Sequence, residues 1–569
     1  MKKSTSYIIA IALFALCSGN ISCKKNFAEI NTNPSVVTSP DIKFLLTYAE
    51  DRIVTYQGTE WVWETMEQLF RFTQHVTTDP YEITNNVNAR FSNYYLQILP
   101  NLFEIRKQIE SKTDKDNYKK MGAVTYVLQV LHGLKVTDMN GSIPYSEAIQ
   151  GRYSGNFSPA YDKQDALFNT WLTELDNAIS ILSDNLMANQ NTYGNSDVFY
   201  KSDWTKWVRL ANSLKLRIAA RLDLANNAKT KEIFQQVMQN AIGSIESDDA
   251  QLSYQSIDYL PFGSSGDINY RSTRYATTSI MKFLKASNDP RLPIFFEPND
   301  LKGSFQDTLT KYTTSLPAFI NPADPLIRFQ GGPADFTTNA IVANYIKNAF
   351  AVGNNNAGNS ISRYFLISPI NRNFFSPRYN STSGDFKEVI VTAAETNFLI
   401  AEFIQKGYAG SVNTRGTAED WYKKGITSSI KTMNSIAITA GSATGYSGNG
   451  DAEINAYLNK VEVKFNGINN LERIYIQQYL NFFRSGNEAF VLCRRTGYPK
   501  NVSTYYQREP FNETIPRRFW TTDPGESNRV NWQAAMQDQG FTPNAQDLPS
   551  LSTQRVWYDK TSPNFGQGN

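Results

Sequence analysis

Residues 161–185 read YDKQDALFNTWLTELDNAISILSDN, and this stretch indicates a helical protein. Its apolar side chains recur at steps of three and four, the spacing that places them on one face of an α-helix. Asp162 precedes the pattern and is predicted to be the N-cap, because its carboxylate can accept a hydrogen bond from the first turn. The predicted buried face consists of Phe168, Trp171, Leu172, Leu175, Ile179 and Leu182.

The following segment, KSDWTKWVRLANSLKLRIAARLDL at residues 201–224, predicts a second long helix. Four aliphatic side chains fall at steps of four and define its buried stripe. The basic residues fall off this stripe, so the pattern predicts a solvated or salt-bridged face for them. The aliphatic stripe is Leu210, Leu214, Ile218 and Leu222, and the basic residues are Lys215, Arg217 and Arg221.

Two helix pairs are predicted towards the C-terminus. ETNFLIAEFIQKGYAG at 395–410 predicts a helix that stops at Gly407, and TAEDWYKKGITSSIKTM at 417–433 predicts its partner. Trp421, Gly425, Ile426 and Ile430 lie on one side of that partner, as in a tetratricopeptide helix pair, although no strict 34-residue period is present. A last pair is predicted over residues 451–467 and 470–499. The predicted fold class is therefore mainly α, with tetratricopeptide-like helix pairs, long loops and a few short strands.

Residues 250–392 differ from the helical blocks on both sides. They are rich in Gly, Asn, Ser, Pro and aromatic residues, a composition that predicts long loops with a few short strands. Ordered loops of this length usually carry a function, and the aromatic content favours that interpretation here.

The N-terminus is typical of an exported protein. Lys2 and Lys3 precede an apolar stretch of 11 residues, Tyr7 to Cys17, which matches a signal peptide and is too short to span a bilayer. Asn20, Ile21 and Ser22 resemble a bacterial lipobox before Cys23. Lipid attachment at Cys23 is therefore predicted, and the alternative is an ordinary signal peptide cleaved near Ser22.

This N-terminus predicts a signal peptide at 1–22, a tether at 23–40 and a ligand-binding domain at 41–569. The chain has three cysteines, of which Cys17 and Cys23 lie in the leader, so a structural disulfide in the mature domain is excluded. No later stretch approaches the roughly 20 apolar residues that a membrane helix needs.

Charge and motifs argue against several functional classes. Loss of Lys2 and Lys3 with the leader lowers the formal charge from +3 to +1, which gives no electrostatic footprint for nucleic acid. The two histidines, His75 and His132, form no HExxH motif, and neither a GxSxG nor a GxxxxGK[ST] motif occurs. We therefore expect no enzyme activity, metal or cofactor. A glycosidase remains open, because its two carboxylates, roughly 5 to 9.5 Å apart, can come from any part of a chain.

Several segments together resemble the SusD/RagB family of nutrient-binding outer-membrane lipoproteins. The most specific is VTDMNGSIPYSEAIQG at 136–151, and the others follow in the family's order along the chain. They are NFAEINTNPS at 26–35, WVRLANSLKLRIAAR at 207–221, DPRLP at 289–293 and NEAFVLCRRTGYP at 487–499.

The resemblance implies a helical scaffold that carries a ligand surface made by loops. It also implies a lipid-anchored outer-membrane protein that captures an oligosaccharide, or in RagB-type members a peptide, for a SusC-like TonB-dependent transporter. Less favoured alternatives are a glycoside hydrolase and a pure protein-interaction scaffold.

Three clusters of aromatic, Arg and Asn residues are the predicted ligand contacts, because sugar rings stack on aromatic faces while their hydroxyls bond planar polar groups. The second and third clusters, which lie in the 250–392 segment, are also candidates for contact with the transporter. Phe70, Tyr94 and Tyr95 are assigned to helix core instead. The first cluster is Trp61, Trp63, Arg71, Tyr81, Asn86, Arg90 and Phe91; the second is Tyr270, Arg271, Arg274 and Tyr275; the third is Arg363, Tyr364, Phe374, Phe375 and Tyr379.

Overall fold

The computed structural model describes residues 40–54, 59–78, 82–256, 274–299, 321, 323–335, 367–375 and 386–568, and it confirms the mainly helical fold. The described strands form two antiparallel pairs, Ile143–Pro144 with Tyr161–Asp162 and Leu252–Ser256 with Phe386–Val391. The α-helices are Ile42–Ile53, Phe70–Phe72, Ala89–Asn93, Leu99–Glu110, Lys119–Asn140, Gly151–Ser154, Gln164–Ser183, Trp204–Leu222, Asn227–Gln239, Thr278–Ser287, Leu292–Phe295, Arg372–Phe375, Ala393–Gln405, Ala418–Thr439, Asp451–Leu458, Asn470–Asn481, Gly486–Thr496, Arg529–Gln539 and Leu548–Thr553.

Shorter elements of other helical types connect these helices. Two are π-helices, in which the backbone hydrogen bonds run from residue i to i+5 rather than i+4. The π-helices are Glu60–Leu69 and Tyr94–Ile98, and the 3₁₀-helices are Asn85–Asn88, Lys115–Tyr118, Gly194–Ser196, Asp248–Ala250 and Trp557–Asp559.

The Gln164–Ser183 helix buries all six side chains of its predicted face. The prediction of Asp162 as its N-cap is wrong. Asp162 lies in a short strand, and its carboxylate accepts hydrogen bonds from the backbone N–H groups of Tyr145 at 2.9 Å and Ser146 at 3.0 Å. A contact with a distant part of the chain therefore uses the carboxylate, and the helix begins after it.

The Trp204–Leu222 helix buries its aliphatic stripe and also its basic residues, so the salt-bridged interpretation is confirmed and the solvated one is wrong. Arg217 donates to Glu395 at 2.7 Å, between Nη2 and Oε2. Arg221 donates to both oxygens of Asp138, at 2.9 and 2.7 Å. Arg221 also bonds Glu488 at 2.8 Å, so one guanidinium joins three separate helices of the scaffold.

The predicted tetratricopeptide-like pair is present as the Ala393–Gln405 and Ala418–Thr439 helices. Gly407 follows the first helix with a φ of +74°, a conformation that favours glycine. Gly425 allows close packing of the pair, because a Cβ at this position would lie 2.5 Å from the Phe398 ring.

The second member of the last predicted pair is two helices, where the sequence pattern predicts one. Residues 470–499 contain two helices, Asn470–Asn481 and Gly486–Thr496, rather than one. Gly486 begins the second helix at a close contact, because a Cβ there would lie 2.5 Å from Thr65 Cγ2. The break therefore lies where the chain packs against the Glu60–Leu69 helix.

The loop-rich segment is closed at its base by the Leu252–Ser256 and Phe386–Val391 strands, which pair its two ends. Most hydrophobic side chains of the described chain form one large core. A smaller core joins the N-terminal and C-terminal parts of the chain, and it consists of Leu69, Phe72, Val87, Met139, Phe490, Phe519, Trp520 and Leu551.

Candidate functional site

The Glu60–Leu69 helix places its two tryptophans in different environments, one buried and one exposed. Trp61 is 4% exposed and meets Phe70 edge-on, with 6.3 Å between the ring centroids. Trp63 is 45% exposed. Of these two predicted ligand residues, only Trp63 presents its ring at the surface of the described structure.

Three predicted ligand arginines are buried and hold this helix in place. Arg90 pairs with Glu64, and Arg274 donates to Glu67 at 3.0 Å. Arg71, in the helical turn that follows, pairs with Glu513 and donates to Gln68 at 3.1 Å. Glu64, Glu67 and Gln68 belong to the helix that carries Trp63. The contacts with Arg90, Arg274 and Arg71 therefore fix the position of this helix.

Burial affects the ionisation of the groups in these contacts. It lowers the pKa of Arg90 to about 10, against the opposing effect of Glu60. It raises the pKa of Glu67, even though Arg274 acts in the opposite direction. These groups are therefore part of the packed interior.

The second and third predicted clusters are only partly within the described residues. Tyr275 is buried and pairs through its backbone with Thr77. Phe374 and Phe375 are fully buried in a short helix, and Phe375 packs on Phe483 with 5.0 Å between centroids. The expectation of exposed loop aromatics is therefore wrong for these three residues.

Other predicted residues lie outside the described part of the chain, and Asn86 belongs to a short helix whose side chain at this position is not described. Phe70 and Tyr94 are core, as predicted, and Tyr95 is half-buried, with its hydroxyl bonded to the Pro144 carbonyl. The predicted residues outside the described ranges are Cys23, Tyr81, Tyr270, Arg271, Arg363, Tyr364 and Tyr379.

A cavity of about 540 Å³ lies beside Arg71 and was not predicted from the sequence. One wall comes from residues 501–517, including Glu513, the partner of Arg71. The other wall comes from Ser552, Asn564 and Phe565 near the C-terminus. Its floor adjoins the smaller core, because Phe511, Ile515 and Phe565 pack on that cluster. The sequence signal for it is the loop YYQREPFNETIPRR at 505–518, which combines proline, aromatic and polar residues as the 250–392 segment does.

A model of the SusD-like_2 family, described as "Starch-binding associating with outer membrane", matches residues 32–520. This chain belongs to the SusD-like family. No curated protein gives a significant match.

Solved structures agree with the SusD-like fold. A chitin-binding protein superposes with a TM-score of 0.69 at 22% identity, covering 91% of this chain and 100% of its own. A chitin-binding SusD homologue from Flavobacterium johnsoniae gives 0.63 at 20% identity, covering 92% and 100%. A SusD-like protein from Bacteroidetes gives 0.66 at 21% identity, covering 91% and 100%.

Four of the segments that resemble the family lie within the described residues and occupy the scaffold of this SusD-like protein, whereas NFAEINTNPS at 26–35 lies outside the described residues. Asp138, Arg221 and Glu488 each come from a different quoted segment, and in the interior Arg221 donates to both carboxylates. Arg291 of the DPRLP segment is fully buried and bonds Asp289. These motifs therefore specify the packing of the helices.

The described residues contain no group of three or more His, Cys, Asp or Glu side chains that could hold a metal ion. Burial lowers the pKa of His75 and of His132 to about 3, so both are neutral near pH 7. Burial also raises the pKa of Cys493 to about 12. Within the same ranges, none of the helices combines the length and hydrophobicity that crossing a bilayer requires.

Proposed function

We propose that this protein captures an oligosaccharide at the outer membrane and delivers it, unchanged, to a SusC-like TonB-dependent transporter. The observation that carries the proposal is the family match over residues 32–520, whose description joins starch binding to the outer membrane. An oligosaccharide is favoured over a peptide because two of the similar structures are chitin-binding proteins.

Trp63 is the predicted contact that best suits a sugar ring, since its exposed indole offers a flat apolar face with a polar edge. Trp61, Arg71, Arg90 and Arg274 act in this proposal by positioning its helix. Tyr81, Asn86, Tyr270, Arg363 and Tyr364 remain proposed contacts on the strength of the sequence alone.

Anchoring through a lipid on Cys23 fits a body whose first described helix begins at Ile42, with residues 23–40 as the tether. A Cys23→Ala variant should leave the membrane fraction in a carbonate wash. Retention of this variant on the membrane argues against the lipid anchor.

Gentle detergent extraction of the parent should co-purify a large transporter. Repeated recovery of the parent alone, while the transporter is expressed, argues against the partnership.

Binding without turnover is the central test. Purified protein is titrated with chitooligosaccharides, maltooligosaccharides and short peptides in a calorimeter, and the recovered ligands are sized by chromatography. We expect one glycan class to bind and to return at its original length. A shortened glycan would indicate a hydrolase, and no binding to any glycan would favour a peptide-binding protein or a protein-interaction scaffold.

A further inference from the structure

The C-terminal cavity is a defined part of the fold, because backbone hydrogen bonds hold its two walls together. The N–H of Asn501 donates to the Gly566 carbonyl at 2.7 Å, and the N–H of Arg517 donates to the Leu551 carbonyl at 2.8 Å. Its volume of about 540 Å³ lies within the roughly 300–1,000 Å³ of small-molecule sites. A ligand can therefore enter a space that the chain has already formed.

The side chains around this space suit a sugar. Phe511 and Phe565 supply half-buried aromatic surface, which matches the C–H face of a pyranose ring. Asn501, Gln507 and Asn564 line the same space and are exposed. The Gln507 amide donates to the Asn501 carbonyl at 3.0 Å and the Asn564 amide oxygen accepts from Arg555, so a ligand hydroxyl would use the remaining donor and acceptor positions of these amides. Apolar surface with a few polar groups that fix orientation is the usual composition of a ligand site.

The charged side chains that line the cavity balance one another, because they are two arginines and two glutamates. Arg508 and Arg517 are buried against the Phe565 ring, with Cζ 5.8 and 5.1 Å from its centroid. Arg517 is also bonded to Asp559 at 2.8 Å. The lining therefore carries no net formal charge, which suits a neutral ligand.

A cationic ligand gains little from the same carboxylates. Glu513 is already paired with Arg71. Glu509 accepts backbone N–H donors on both oxygens, from Ser279 at 2.9 Å and Ala334 at 3.0 Å. Both lining carboxylates are thus occupied by partners from the protein.

We propose that this cavity binds one neutral sugar unit of the captured oligosaccharide. The inference rests on the proposed function and adds the place and the charge class of the ligand. The family match ends at residue 520, so Ser552, Asn564 and Phe565 lie beyond it. Part of the site is therefore built by residues that lie outside the segment matched by the family model.

A matched pair of variants tests the location. Ser552 lines the cavity and Thr553 does not, yet both side-chain hydroxyls donate to the Pro549 carbonyl, at 3.0 and 2.8 Å. Ser552→Trp fills the cavity and should weaken binding of the best neutral glycan by about tenfold or more, which corresponds to 1.4 kcal/mol. Thr553→Trp loses the same hydrogen bond and should bind like the parent.

Hydrogen exchange of the parent provides a second measurement that does not depend on how the variants fold. Amides of residues 507–517 should exchange more slowly when a saturating neutral oligosaccharide is present. If the parent binds a glycan but both variants bind equally and these amides are unprotected, the inference is wrong while the proposed function stands.

The ligand panel tests the charge class. Neutral chitooligosaccharides and maltooligosaccharides are compared with a uronate-containing oligosaccharide and a short peptide of equal length. Preference for the uronate or for the peptide overturns the neutral-sugar assignment, and failure of every glycan to bind overturns the proposed function together with this inference.

Discussion

The centre of the helical scaffold and the wall of the C-terminal cavity both bury arginines, but they satisfy them in different ways. Arg221 bonds two carboxylates, Asp138 at 2.7 Å and Glu488 at 2.8 Å. Arg508 donates to the Phe72 carbonyl at 2.7 Å and lies against Phe565, and within the described ranges no carboxylate pairs with it. Charge is therefore matched with charge at Arg221, whereas Arg508 in the cavity wall meets a carbonyl group and an aromatic ring; Arg517 in the same wall is paired with Asp559.

The pKa values reflect this difference. Burial lowers the pKa of a guanidinium, but Asp138 and Glu488 outweigh that effect and raise the pKa of Arg221 well above its ordinary value. For Arg508, burial prevails and its pKa is lowered. Asp138, Arg221 and Glu488 bond partners inside the protein and hold the fold. The cavity wall differs, because its exposed amides at Asn501, Gln507 and Asn564 can still bond a ligand.

The largest expected effect is loss of a scaffold arginine. Arg221→Met keeps a long apolar side chain but leaves Asp138 and Glu488 buried without their cation, so we expect a loss of about 3–5 kcal/mol in the free energy of unfolding. Urea unfolding followed by circular dichroism measures this value. A loss below about 1 kcal/mol would contradict the assignment of this network to the scaffold.

The control for that variant is an ion pair of the same kind at the surface. Lys229 bonds Glu232 at 2.9 Å on a neighbouring helix, and both side chains are partly exposed. Lys229→Met should change the free energy of unfolding by no more than about 1 kcal/mol, because solvent screens exposed pairs.

A smaller effect is expected from the pH dependence of a scaffold histidine. His75 is fully buried, its Nε2–H donates to the Tyr479 carbonyl at 2.8 Å, and its Nδ1 accepts from Thr73 at 2.8 Å. Burial lowers its pKa from 6.5 to about 3. Between these values the unfolded chain binds a proton that the folded chain does not, so stability falls as the pH falls below 6.5.

At pH 5 this linkage should cost the parent about 2 kcal/mol relative to pH 7 and above, at 1.36 kcal/mol per pH unit. His75→Phe removes one of two such histidines and leaves His132, whose pKa burial also lowers to about 3, so the stability of the variant should depend less on pH than that of the parent by the His75 amount. Urea unfolding at pH 7 and pH 5 gives the difference for both proteins. Parallel losses in parent and variant would show that His75 is not the titrating group.

The scaffold could be predicted from the sequence, whereas the cavity could not. The quoted segments at 136–151, 207–221 and 487–499 contain the ion-pair partners themselves. The sequence pattern predicts helices for the second and third segments but not the Lys119–Asn140 helix that carries Asp138. The cavity forms where residues 501–517 meet residues 552–565, through backbone hydrogen bonds that no periodicity indicates.

The two tryptophans show a second limit of the sequence. They lie two positions apart and the sequence predicts both as ligand contacts, yet Trp61 is buried and Trp63 is exposed. The prediction depends on residue type alone, whereas residues i and i+2 of a helix point to different faces, so only the placement of the Glu60–Leu69 helix decides which ring is exposed.

The smallest effect on stability is expected at Trp63, where the larger effect should be on glycan binding. Because the ring is 45% exposed, Trp63→Ala should change the free energy of unfolding by no more than about 0.5 kcal/mol. If a sugar ring stacks on it, the same variant should weaken glycan binding by about 0.5–1.5 kcal/mol, by analogy with aromatic pairs, which is several-fold in affinity.

Leu96→Ala is the control, since Leu96 is an exposed apolar residue, at 75%, without a ring to stack. Calorimetry on the best glycan compares the three proteins. Equal affinity in all three would remove Trp63 from the binding surface, while a loss confined to Trp63→Ala would establish that the helix clamped by Arg71, Arg90 and Arg274 presents a ligand-binding ring.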